Sequence, residues 1–142
     1  MITDVLKNHV LFTGAMCCFI IISGCATVIG MKNLEIFDQT AKAYKHALSK
    51  SDYEAAIRFT ASTGDKAAPP VDPEMATRYK VVSYEVKKIV VSDDKQDIYQ
   101  DVELTYYRVQ SMIQDMVRDR QHWHYDPELK KWILKTGLPE FK

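Results

Sequence analysis

The sequence predicts an α+β domain in which two or three N-terminal helices pack on a curved four-stranded antiparallel sheet. Three observations predict it. Between Leu34 and Leu48 the apolar residues recur at helical spacing, as Phe37, Ala41, Tyr44 and Leu48. From Tyr79 onward the period changes to two, with β-branched and aromatic residues alternating with charges. The strand-like runs are separated by short turn sequences, which is the pattern of consecutive hairpins laid against a helical layer.

The elements follow in order. Helix one covers Leu34 to Leu48. Ser51 and Glu54 have the S-x-x-E spacing of a capping box, so a second helix is expected from Asp52, turning Tyr53, Ala56, Ile57 and Phe59 inward. Ala61 to Pro73 (ASTGDKAAPPVDP) is rich in Gly, Pro and Ala and reads as a loop or a brief helical turn. Tyr79 to Val91 is the first strand. Its apolar positions are Val82, Tyr84 and Val86 and then Ile89 and Val91, a switch of parity that predicts a bulge near Lys87-Lys88. Asp93 to Gln96 is a turn. Ile98, Val102, Leu104 and Tyr106 form the inward face of the second strand, with Asp101, Glu103 and Thr105 outward. A third strand, roughly Val117 to Tyr125, turns Trp123 and Tyr125 inward. Asp126-Pro127-Glu128 is a turn, and the last strand carries Trp132 and Leu134 until Gly137 and Pro139 stop it.

Upstream of the domain, Val10 to Ile22 (VLFTGAMCCFIII) is a thirteen-residue run without a charge, preceded by Lys7 and the amino terminus. That is the layout of a secretory signal peptide. It ends in Ile22-Ser23-Gly24-Cys25, which resembles the lipobox of bacterial lipoproteins. The resemblance implies cleavage after Gly24 and a diacylglycerol on the thiol of Cys25. It divides the chain into a signal peptide (1–24), a lipidated tether (25–33) and one domain (34–142). Ala26 stands where an Asp would signal retention at the inner membrane, so the resemblance implies the periplasmic face of the outer membrane. Two or more acyl chains anchor a protein stably, where one does so only reversibly. The competing reading is an uncleaved anchor over Val10 to Met31, 22 residues without a charge.

Helices followed by a long, bent, aromatic meander resemble the nuclear-transport-factor-2-like superfamily. The residues that carry the likeness are Tyr44 to Tyr53 (YKHALSKSDY), Arg118 to Tyr125 (RDRQHWHY) and Lys131 to Leu134 (KWIL). The resemblance implies a cone-shaped domain with space between helices and sheet. Such domains serve as isomerases, dehydratases, transport adaptors and binding modules, so function is argued from the site.

Composition narrows the partners. With 19 basic and 19 acidic residues the chain lacks the electrostatic footprint of a nucleic-acid binder. The three cysteines, at 17, 18 and 25, give no disulfide framework and no zinc finger. His122 and His124 fall on one side of a strand with Asp126 two further on, a set that would suit zinc or copper. Trp123 and Tyr125 claim the inward face, however, and no third strong ligand is suggested, so no metal is expected. Arg118, Arg120, His122 and His124 form a basic stripe that would suit an anionic ligand. An odd-sum hairpin register would instead set Asp101 and Glu103 opposite that stripe as ordinary cross-strand pairs, and the pairing reading is favoured. The inward positions supply tyrosines, valines and tryptophans, with Asp115 and Asp119 as acids that nothing singles out for proton transfer. There is no G-x-S-x-G and no phosphate-cradling Gly-rich loop. The sequence thus predicts a non-enzymatic envelope module with no cofactor beyond the lipid on Cys25. It would be bound to the membrane and take an envelope protein as partner; the alternative is a small ligand or an isomerase-like reaction in a cone pocket.

Overall fold

The computed structural model describes residues 24–60 and 70–142. Its elements are α1 (Gly24–Ser49), α2 (Tyr53–Ile57), a 3-10 turn (Arg58–Thr60), α3 (Met75–Arg78), β1 (Tyr79–Val91), β2 (Asp97–Arg108), β3 (Gln114–Asp126) and β4 (Lys131–Leu134). The four strands form one antiparallel sheet in the order β1-β2-β3-β4, an open meander with helices against one face. The α+β class is therefore established.

Helix α1 starts ten residues before Leu34, where the apolar spacing had placed it. The segment 25–33, expected as a tether, is helical. Gly30 and Asn33 are already buried, and the indole nitrogen of Trp132 donates to the Asn33 carbonyl at 2.8 Å. Periodicity had missed this because Val28 and Ile29 merge with the apolar run before them. The helix ends at a tight reversal in which Ser51 takes a φ of 56°. The side chain that caps α2 is Asp52, accepting from the Ala55 amide at 2.9 Å, rather than Ser51 of the expected capping box. Asp and Ser serve this position about equally well.

The core lies between α1 and the inner face of β2, β3 and β4. Phe37 meets Trp123 and Trp132 edge-on at 5.9 and 5.1 Å, and Tyr44 meets Trp123 at 5.4 Å. Edge-to-face pairs of this kind add to the large area such rings bury. At the far end, Phe141 sits among Tyr53, Tyr79 and Tyr106. The Tyr106 hydroxyl and Arg108 Nε both donate to the Lys142 carbonyl, at 3.1 and 2.9 Å.

Strand β1 departs most from expectation. The bulge predicted near Lys87 is present, between Val86 and Lys88, but a second interrupts the strand between Val81 and Ser83. That second bulge makes Val81 rather than Val82 the inward residue beside Tyr84. Val86, Ile89 and Val91 lie opposite the inward residues Val102, Gln100 and Ile98. They nevertheless remain 39–52% exposed, so the helical layer leaves this stretch of the edge strand uncovered. Two bulges and the lysines at 80, 87 and 88 blunt this free edge against strand addition.

Phe37 touches both tryptophans, so truncating it strikes the centre of the helix–sheet contact. Phe37→Ala is expected to cost about 3–5 kcal/mol, read as a lower midpoint in urea denaturation. A loss below about 1 kcal/mol would place the core elsewhere.

Candidate functional site

Antiparallel pairing of β2 with β3 decides which side chains share a face. Ile98 lies opposite Trp123, Gln100 opposite Gln121, Val102 opposite Asp119 and Leu104 opposite Val117, all directed toward α1. The intervening pairs are Asp97 with His124, Tyr99 with His122, Asp101 with Arg120 and Glu103 with Arg118. They stand on the outer face. The odd-sum register anticipated from the sequence is the one observed, and it brings Arg118, Arg120, His122 and His124 into one stripe beside a stripe of acids.

The two ends of that stripe differ. At one end, His122 Nε2 and His124 Nδ1 approach the same oxygen, Oδ1 of Asp97, at 2.7 and 2.9 Å. Tyr99 stacks on the His122 ring at 4.6 Å and 13°. The hydrogen bond from His122, with desolvation working against it and His124 adding to it, holds the Asp97 carboxyl below the usual carboxylate range. Asp126, which the sequence spacing had offered as the partner of the two histidines, instead caps the following turn by accepting from the amides of Glu128 and Leu129. The histidines find their carboxylate on the neighbouring strand, in Asp97, a residue for which the sequence had offered no role. Among the described residues no group of three or more His, Cys, Asp or Glu is arranged to hold a metal ion.

Around Arg118 and Arg120 the outer face forms a groove of about 300 Å³, lined also by Lys87, Asp101 and Glu103. Glu103 pairs with Lys87 at 3.6 Å. Among the described residues neither arginine has a carboxylate within 4.0 Å, although an acid stands directly opposite each. The expected cross-strand partners are in register without closing into ion pairs.

The inner face holds a polar cluster of which the sequence offered only Asp119, without a role. Asp119, Gln121 and Gln100 all point inward and are at least nine-tenths buried. Gln121 Nε2 donates to Asp119 Oδ2 at 2.7 Å, and its Oε1 accepts from Tyr84 Oη and Trp123 Nε1, each at 3.0 Å. Burial raises the Asp119 carboxyl, with the Gln121 bond opposing it. Burial is also the main cause that raises the hydroxyls of Tyr44 and Tyr84, with the negative charge of Asp119 adding to it. Tyr44 Oη and Gln100 Oε1 have no hydrogen-bond partner among the described residues. The parity of Asp119 with Trp123 and Tyr125 was the signal that could have found this cluster.

Gly24 and Cys25 are the first two residues of α1. The apolar run and Ile22-Ser23 lie outside the described residues, and no helix among those described is long and apolar enough to cross a membrane. No family model, curated protein or solved structure matches the chain.

A carboxyl raised by burial stabilises the fold fully below its unfolded value, and that contribution is lost as pH rises through its folded value. Above the unfolded value, folding must therefore either bury the charge or bind a proton, and either costs stability. Asp119→Asn keeps an oxygen for Gln121 and removes that charge. The variant is expected to melt above the wild type at pH 8, with the gap closing toward pH 4. A variant that melts lower at every pH would show that the carboxylate is needed for packing.

Proposed function

We propose that the chain is a lipid-anchored, non-enzymatic interaction module of the bacterial cell envelope. The observation that carries this reading is Ile22-Ser23-Gly24-Cys25 at the end of an uncharged run. After cleavage the chain would keep 118 residues with 18 basic and 18 acidic groups, the removed segment holding only Asp4 and Lys7. Cys25 lies on a helix that continues unbroken into the domain. From Cys25 to Gly30 that helix rises about 8 Å, so the lipid would hold the domain close to the bilayer surface. The exposed charges of the outer sheet face support an interaction role, because guanidinium and carboxylate groups without partners in one chain are available to another.

A second reading rests on Asp119. A raised carboxyl near Tyr44 and Tyr84, with two buried polar atoms that have no partner among the described residues, fits a small polar ligand in a cone-shaped, nuclear-transport-factor-2-like domain. Native mass spectrometry of protein purified from detergent-solubilised envelope tests it. A small molecule carried by the wild type and lost in Asp119→Asn supports this reading, and none in either contradicts it.

The anchor is tested by growth with labelled palmitate. The wild type is expected to take up label and fractionate with membrane, and Cys25→Ala to do neither. Label on the variant would overturn the assignment of Cys25. An unlabelled variant that stays tightly in the membrane fraction would point to an uncleaved anchor over Val10 to Met31.

A further inference from the structure

The outer face of the sheet carries two parallel stripes of opposite sign on its two central strands. Asp97, Asp101 and Glu103 stand on β2; His124, Arg120 and Arg118 stand level with them on β3. Arg118, Arg120 and Asp101 are exposed and have no ion pair among the described residues. Exposed apolar side chains, Val90 and Tyr99 toward one end and Met116 toward the other, share the face. The helices lie on the opposite side.

We propose that this face pairs with the same face of a second copy of the chain. The argument is one of symmetry and charge. A twofold axis parallel to the strands, running between β2 and β3, exchanges the two stripes while keeping each residue at its own level. The partner's Asp101 then comes over Arg120, the partner's Glu103 over Arg118, and the partner's Tyr99 over His122. Each guanidinium gains a facing carboxylate in addition to the one beside it. The groove between the stripes receives the arginine heads from across the interface. A partner that was only acidic or only basic would meet like charge on one of the two stripes, and like charges juxtaposed in an interface are strongly unfavourable. A self-complementary face selects itself.

The area is sufficient. With the axis between them, β2 and β3, of twelve and thirteen residues, overlap fully and the four-residue β4 meets the end of the partner's β1, which at about 3.3 Å per residue and about 4.8 Å between strands gives a face of roughly 500 Å² per copy. That makes about 1,000 Å² in all, about the least a specific interface needs. Because ion pairs occupy its centre, the association is expected to weaken as salt is raised.

The proposal rests on the interaction-module reading and supplies its partner, so the test separates the two. With p-benzoylphenylalanine at Tyr99 in the full chain in intact cells, irradiation is expected to give an adduct of twice the chain's mass. An adduct of another mass overturns the second copy and leaves the module reading standing. No adduct overturns both. Sedimentation of the detergent-solubilised protein provides the matching arm. The double variant Arg118→Glu/Arg120→Glu and the double variant Asp101→Arg/Glu103→Arg should each self-associate at least tenfold more weakly than wild type. Mixing them should restore a dimer, because every facing pair in the mixture is again of opposite sign. That recovery also shows that both variants are folded. A monomeric wild type, or a mixture that stays monomeric, overturns the proposal.

Discussion

The pairing of Val102 with Asp119 between β2 and β3 is the constraint on which the rest of the molecule depends. A strand's side chains alternate with a period of two, so a slip of one residue would exchange the two faces of β3. Trp123 and Tyr125 would turn to solvent, and Arg118, Arg120, His122 and His124 would face Phe37 and Tyr44. Burying four cationic or ionisable side chains without partners costs several kcal/mol for each charge. Two independent penalties therefore fix the parity of the pairing, and that parity produces both a packed aromatic interior and a face with stripes of opposite charge.

From this register the helical layer follows. Trp123 and Trp132 present their rings to α1, and Phe37 wedges between them. The hydrogen bond from Trp132 to the Asn33 carbonyl ties the early part of α1 to the last strand, across 99 residues of sequence. The cost of the arrangement is polar: Asp119 and Gln121 alternate with Trp123 and must go inward with it. Gln121 resolves most of that cost by satisfying Asp119, Tyr84 and Trp123 at once. Among the described residues, Tyr44 and Gln100 are left with unpaired atoms.

Much of this was legible in the sequence because it follows from periodicity. The change from helical to alternating spacing located the helical and sheet layers, and the parity of Ile98, Val102, Leu104 and Tyr106 against Trp123 gave the register. The bulge near Lys87 was legible as a parity switch. The second bulge was not, since Val81 and Val82 are alike and alternation cannot choose between them. Asp119 was legible as an acid among the inward positions but not as a cluster, because a buried carboxylate is recognised only once its partners are in place, and Gln121 was hidden by the large aromatic neighbours that dominate an inward-face pattern. Asp97 escaped because it directly follows the turn at Asp93 to Gln96, and its partners His122 and His124 lie some 25 residues away. The early start of α1 was hidden by an apolar run that serves targeting as readily as it forms helix.

Cross-strand cysteine pairing tests the register most directly, since a disulfide requires Cα atoms within about 7 Å. In the variant Asp101→Cys/Arg120→Cys, peptide mapping of monomer-sized, air-oxidised protein should find residues 101 and 120 joined. In Asp101→Cys/Arg118→Cys the link should be absent. The reverse outcome, a bond from 101 to 118 and none from 101 to 120, would mean that β3 is displaced by two residues. The stripes of charge would then not stand level as described.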